Sequence, residues 1–383
     1  MVGGGFGGVK TALELANKPG VSVQLISDNS HFEYHGALYR SALGHSPMEV
    51  IIPLKDILEH AKNVEIVLDK ISVIDTKKHR LASETGNIYS YDKVVLSLGN
   101  SIDYFNIPGV AQNSEAIHSI SSTIKLRTKL VALLSKKHTK PVRIAIIGAG
   151  PSGVELAGEL PQFAKFIAKK YRIPTPNLSV LLLDSADRVL PSFQPSVSTR
   201  VQTRLKHLGV ETHLNVEVES CESDKVCMRV GNLGADLIVW AAGSSPSPFF
   251  KNNADTFTLN KSHVVVSKHL KPGNHRNVYV IGDNADTLYS GMAQTALNQA
   301  QFVAKAILDE ISGRSQKEYK DIKPTYVVAI GQNWAITQRG NKVLYGRAGW
   351  AVRRSGDLAI FKNFRPYKEA VQIWRRANKM AKF

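Results

Sequence analysis

Val142-Arg143-Ile144-Ala145-Ile146-Ile147-Gly148-Ala149-Gly150-Pro151-Ser152-Gly153 is the stretch on which the fold turns. Residues 142–147 read as a buried strand, and the glycines that follow fit G-x-G-x-x-G. In that pattern Gly148, Gly150 and Gly153 allow a tight turn, bring backbone N–H groups close to a pyrophosphate, and let the next helix pack on the strand. That helix runs through Leu160, and a second apolar strand follows at 178–183. Asp184 then stands where a carboxylate accepts hydrogen bonds from a ribose 2′-hydroxyl and repels a 2′-phosphate, so this unit predicts NADH over NADPH. Arg188 lies close enough to soften that preference.

A second fingerprint, Gly3-Gly4-Gly5-Phe6-Gly7-Gly8, begins 145 residues earlier and leads into a helix at 9–17 and a strand at 21–26. Its ribose position falls on Ser27 or Asp28, and counting about 20 residues from the last glycine favours Asp28. Only Met1 and Val2 precede Gly3, too few for the central strand of such a sheet, so the natural chain is expected to start upstream. Two dinucleotide motifs in one polypeptide point to electrons passing from one nucleotide to the other.

The rest of the chain fits this repeat. Runs at 91–99 and 236–243 are strands ending in small-residue turns, at Gly99 and at Ala242-Gly243. A strand at 278–281 leads to Gly282-Asp283, and a helix follows from about 291 to 312. The fold class is therefore α/β, with two Rossmann-like domains, the second inserted into the first. The domains predicted are 1–112 with 245–325, then 113–244, then a carboxyl-terminal α+β region 326–383.

Bulk properties bound the setting. The 383 residues carry a formal charge of +17, which implies attraction to an anionic surface. No apolar run is long enough to span a bilayer and none reads as a signal peptide, which predicts a peripheral protein on the cytoplasmic side of a membrane. Cys221 and Cys227 match neither C-x-x-C nor C-x-x-x-x-C and read as structural thiols. The twelve histidines show no metal-ligand spacing.

Taken together, Gly3–Gly8 with its inner Phe6, GAGPSGVELAGEL at 148–160, VWAAG at 239–243, IGDNA at 281–285 and AQTALNQA at 293–300 resemble the type II NADH dehydrogenases, the non-pumping NADH:quinone oxidoreductases, along nearly the whole chain. The resemblance implies FAD at the first fingerprint, held by Gly3, Gly5, Phe6, Gly8, Asp28, Gly99, Gly282 and Asp283. It implies NADH as substrate at Gly148, Gly150, Gly153, Asp184, Ala242 and Gly243. It places Glu155 beside the nicotinamide and flavin rings, and Gln294 and Asn298 at a pocket for quinone, the electron acceptor. Asn298 stands for the usual first glutamine of a pair, Leu297 for a frequent histidine, and Ser290-Gly291-Met292 for a Pro-Pro, departures that bear on the quinone headgroup.

Several of these residues also have plainer readings. Glu155 could simply complement a helix dipole, Asp283 could cap a turn, and Gln294 could lie on an exposed helix face. The carboxyl end holds twelve Lys and Arg between Arg339 and Phe383 against Asp357 and Glu369. On a helix over 366–383, Ala370, Ile373, Trp374, Ala377, Met380 and Ala381 share one side, with Lys368, Arg375, Lys379 and Lys382 opposite. This pattern predicts a helix lying in a membrane interface on anionic lipids, against the alternative of a stripe packed on the protein core. A homodimer is compatible with the chain. Two other functions compete: reduction of a soluble carrier such as a ferredoxin or rubredoxin, and a nucleic-acid-binding redox protein resembling apoptosis-inducing factor. The crowding of charge into the tail argues against the last, and no nucleic acid partner is expected.

Overall fold

In the computed structural model, which describes residues 1–376, the chain divides into two units: 1–33 with 51–101 and 244–324, and 34–50 with 102–243 and 325–383.

The first unit is built on a parallel sheet. Strand Val23–Ser27 pairs with Val64–Leu68, and Val94–Leu96 pairs with Val278–Val280. Val2 joins the two halves by parallel bridges to Ile26 and Leu96. Its N–H donates to Val95 O at 2.9 Å, and Ser97 N–H donates to Val2 O at 2.9 Å. Val2, Ile26, Leu96 and Val280 are buried together. Helices Phe6–Leu15 and Ala293–Ile311 pack on each other. An antiparallel sheet, Ile71–Asp75, Arg80–Ser83 and Ile88–Ser90, is not hydrogen-bonded to the parallel one but packs Ile71, Ile74 and Leu81 into the same core.

In the second unit a five-stranded parallel sheet runs in the order Glu115–Ala116, Leu237–Trp240, Val142–Ile147, Leu178–Leu183, Val210–His213. Leu237–Trp240, Ile144–Ile147 and Val180–Leu183 are wholly or almost wholly buried, as a parallel sheet covered on both faces requires. Helix Pro151–Tyr171 opens with Pro151, whose missing N–H costs nothing in the first turn. It continues past Leu160 through Pro161 for three further turns, longer than the sequence pattern suggests, because Phe163, Ala164 and Ile167 bury on its inner face.

Three segments fall outside the boundaries read from the sequence, and one of them, residues 102–112, belongs to the second unit rather than the first. Residues 34–50 join the second unit, where helix Leu38–Ala42 packs against Ile120–Leu134 and buries Leu38, Tyr39 and Ala42. The carboxyl-terminal elements join it too. Strands Tyr326–Ala329, Ala335–Arg339 and Lys342–Tyr345 form an antiparallel sheet on which helix Gly346–Lys362 packs.

Helix Tyr367–Arg376 corrects part of the interface reading. Ala370 is fully buried, and Trp374 Nε1 donates to Arg354 O at 2.6 Å while the Arg354 guanidinium lies over its ring at 4.7 Å. Within the described residues this stripe packs on the preceding helix. Ala377, Lys379, Met380, Ala381 and Lys382 lie outside the described residues. No described helix is long and apolar enough to cross a membrane. Arg353 and Arg354, counted above in the basic tail, are also buried.

Candidate functional site

The two fingerprints form near-identical cradles. Gly3 and Gly148 adopt φ of +109° and +112°, where side chains are strained. A Cβ on Gly3 would lie 2.2 Å from Ser97 O, and one on Gly148 2.6 Å from Ala242 N. The third glycines press on the first: a Cβ on Gly8 would sit 2.0 Å from Gly3 O, and one on Gly153 1.8 Å from Gly148 O. The middle glycines are the opposite case, since around Gly5 and Gly150 nothing lies within 4 Å. Each cradle thus has two glycines fixed by packing and one facing open space at a helix N-terminus, an arrangement suited to an anion. Phe6 opens the first helix, its ring edge-on to Phe32 at 4.8 Å.

The hydrogen bonds at the ends of the second strands align the two cradles residue by residue. Gly3 N–H donates to Ile26 O at 2.8 Å, and Gly148 N–H donates to Leu183 O at 2.7 Å. Asp184 follows Leu183, so the matching station in the first unit is Ser27. Asp28 lies one residue beyond it, exposed, with Oδ1 accepting from Asn29 Nδ2 at 3.1 Å. Asp184 is tied to its own cradle: Oδ2 accepts from Ala149 N–H at 2.5 Å and Oδ1 from Ala186 N–H at 2.8 Å. Arg188 pairs with Asp187 at 3.5 Å and donates to Pro191 O.

Further residues gather round the first cradle within its unit. Gly282 N–H donates to the buried Gln299 Oε1 at 2.7 Å, and Gln299 Nε2 donates to Thr287 Oγ1 at 3.0 Å. Asp283 follows; burial raises its carboxyl above the usual range, partly offset by His263 and the Gly291 N–H. Buried Asn284 donates through Nδ2 to Gly99 O and leaves Oδ1 without a partner. Gln294 and Asn298 lie one turn apart on helix Ala293–Ile311, the first exposed and the second half-buried. In the second unit Ala242 and Gly243 end strand Leu237–Trp240, and a Cβ on Gly243 would lie 2.1 Å from Asp103 O.

Glu155 is at the centre of a buried ionic cluster within the second unit. Its Oε1 accepts from Arg353 Nη1 at 2.9 Å and from Ala329 N–H at 3.2 Å. Arg353 also donates through Nε to Asp357 Oδ1 at 3.2 Å and through Nη2 to Gly36 O at 2.5 Å. Asp357, fully buried, accepts from Tyr34 OH at 2.9 Å and from Arg40 Nη2 at 2.8 Å. Burial pushes the Asp357 carboxyl up, but Arg40 and Arg353 outweigh it and hold it below the ordinary value. At Glu155 burial wins over Arg353 and the Ala329 N–H, and the carboxyl is pushed up to about 7. It can therefore give or take a proton near neutrality. Beside it, Glu159, Tyr39, Arg40, His45, Gln332 and Asn333 help line a cavity of about 80 Å³, and burial raises Glu159 as well.

Sequence reading gave no site role to Gln299, Tyr34, Arg40, Arg353 or Asp357, the last two having counted only in the charge of the carboxyl end. The one available signal is the spacing of Arg353 and Asp357, four apart on a helix and therefore on one face. Cys221 and Cys227, on adjacent antiparallel strands, are both free.

Two Rossmann units in one chain, each with a complete glycine cradle, define a fold built for two dinucleotides. The chain belongs to the pyridine nucleotide-disulphide oxidoreductase family, whose model matches residues 1–301. It is 28% identical over 400 residues to the type II NADH:quinone oxidoreductase Ndh of Mycobacterium tuberculosis, covering 98% of this chain and 86% of that protein. It is 23% identical to the type II NADH:quinone oxidoreductase of Staphylococcus haemolyticus, covering 91% and 89%. Among solved structures, NDH2 from Plasmodium falciparum in complex with NADH matches with a TM-score of 0.88 at 15% identity, covering 100% of this chain and 99% of that one. The sulfide:quinone oxidoreductase of Aquifex aeolicus matches with a TM-score of 0.80 at 19% identity, covering 98% and 91%.

Proposed function

We propose that this chain is an FAD-dependent NADH:quinone oxidoreductase working at a membrane surface. The observation that carries the proposal is the repeated cradle in a chain whose relatives, matched almost end to end, are named for that activity. The first cradle fits a flavin dinucleotide. Gly5 leaves open space for a pyrophosphate, and Asn284 Oδ1 is a buried acceptor aimed at no protein donor. FAD bound there supplies hydride acceptance and onward electron transfer.

The protein's part is to bind, orient and manage protons. Gly3, Gly5 and Gly8 hold the pyrophosphate on the helix that Phe6 begins. Gly99, Gly282 and Asp283 shape the flavin end, with Gln299 fixing the Gly282 N–H. Gly148, Gly150 and Gly153 take the NADH pyrophosphate, Asp184 the ribose, and Ala242 and Gly243 the nicotinamide side. Glu155 holds or releases a proton at Oε2, since Oε1 accepts from Arg353 and the Ala329 N–H, with Arg353 setting how readily. Gln294 and Asn298 orient the quinone headgroup. Without a redox dithiol in the sequence, reduction of the acceptor is direct.

The protein binds anionic lipid through the exposed charged face of helix Tyr367–Arg376, where Lys368 and Arg375 project, and acts as a homodimer on the cytoplasmic side. Anaerobic NADH added to the purified flavoprotein should bleach the flavin absorbance, and a soluble quinone should restore it. Bleaching without restoration by quinone would transfer the function to a soluble electron carrier; no bleaching would reject NADH as donor.

A further inference from the structure

The register shared by the two cradles exposes a difference between them. In the second unit the residue after Leu183 is an acid, and its Oδ2 accepts from the N–H of Ala149, the residue after the first glycine. In the first unit the equivalent pair is Ser27 and Gly4. They face each other, since a Cβ on Gly4 would lie 2.4 Å from Ser27 Oγ. Ser27 is 2% exposed, and its hydroxyl is already engaged: Oγ donates to Asn29 O at 2.8 Å and accepts from Asn29 N–H at 3.1 Å. Asp28 lies one residue past the end of the strand, in the bend that follows, outside the contact between Ser27 and Gly4. Its exposure and its bond to the neighbouring Asn29 side chain agree with that.

We infer that the first cradle holds its dinucleotide without a ribose carboxylate: Ser27 stands where Asp184 stands, and its hydroxyl closes the turn through Asn29. Affinity at this site comes from the pyrophosphate cradle and the flavin end, and the site is indifferent to the adenosine 2′-hydroxyl. The nicotinamide site keeps its acid and stays selective. The inference rests on the assignment of FAD to this cradle and adds a recognition rule to it.

The test is a fluorescence titration of the full-length, deflavinated protein with FAD and with its 2′-deoxyadenosine analogue. The wild-type protein should bind the two within about twofold, because no charge-assisted bond to the 2′-hydroxyl is lost. D28N should leave both affinities unchanged. S27D should tighten FAD, and create a preference for FAD over the analogue, of roughly tenfold, the effect of one charge-assisted hydrogen bond. A wild-type preference of tenfold for FAD, or a comparable loss in D28N, would overturn the inference even if S27D did not fold. A protein that took up neither flavin would overturn the FAD assignment along with it.

Discussion

Replacing Glu155 by glutamine separates two forces that act on the same carboxyl. Burial disfavours its ionised form, while Arg353 at 2.9 Å and the Ala329 N–H favour it. With the carboxyl raised from 4.5 to about 7, burial prevails. A carboxyl raised on folding has its full stabilising effect below the unfolded value and loses it as pH climbs through the folded one. Wild-type stability should therefore fall between about pH 4.5 and 7 by about 3 kcal/mol relative to a side chain that cannot ionise. Glutamine is nearly isosteric, keeps a carbonyl to accept from Arg353, and has no such pH dependence. Denaturant unfolding of the wild type and E155Q at pH 5 and pH 8 reads the difference directly. The variant should gain about 2.5 kcal/mol on the wild type between those two pH values, while the pH dependence of flavin reduction, if Glu155 handles the proton, flattens over the same range. A stability difference that stayed constant, or moved so that E155Q lost ground at pH 8, would show that Arg353 outweighs burial and refute the reasoning.

Three further outcomes follow from the same geometry. D357N leaves Arg40, Arg353 and Arg354 facing one another around a neutral group, and should cost roughly 3–5 kcal/mol in denaturant unfolding at neutral pH, whereas Y34F, which loses one hydrogen bond, should cost about 1 kcal/mol. Q299L strips the acceptor from the buried Gly282 N–H; flavin retention through gel filtration should fall, with a penalty of about 1–3 kcal/mol in FAD affinity. Reversing the two exposed charges, K368E with R375E, should weaken flotation on phosphatidylglycerol vesicles and leave activity with a water-soluble quinone intact; equal flotation would rule out this helix face as the lipid contact.

Much of this architecture was legible because glycine positions and apolar strands are dictated locally. Gly148, Gly150 and Gly153 are needed where the chain turns, approaches and packs, and those needs show in the sequence. Counting residues from a glycine carries no information about strand register, so it could not choose between Ser27 and Asp28; the Gly3 bond to Ile26 aligns Ser27 with Asp184. The ionic cluster was hidden by distance along the chain. Arg353 and Arg354 look like members of a basic tail until the fold brings Glu155 to Arg353, and Asp357 reads as an isolated acid until Arg40 and Tyr34 meet it. The helix at the carboxyl end carries an amphipathic pattern that serves equally for a lipid surface or a protein groove. Only the positions of Ala370 and Trp374 show that part of it is used internally.

That cluster also constrains how the protein is made. Arg40 and Asp357, joined at 2.8 Å, are 317 residues apart in sequence. On a ribosome adding about 5–20 residues per second, Arg40 emerges roughly 15–60 seconds before its partner. Until Arg353 and Asp357 emerge, Arg40 and Glu155 lack the partners that complete the buried cluster. The order of the chain thus makes helix Gly346–Lys362 the last part of this cluster to be supplied.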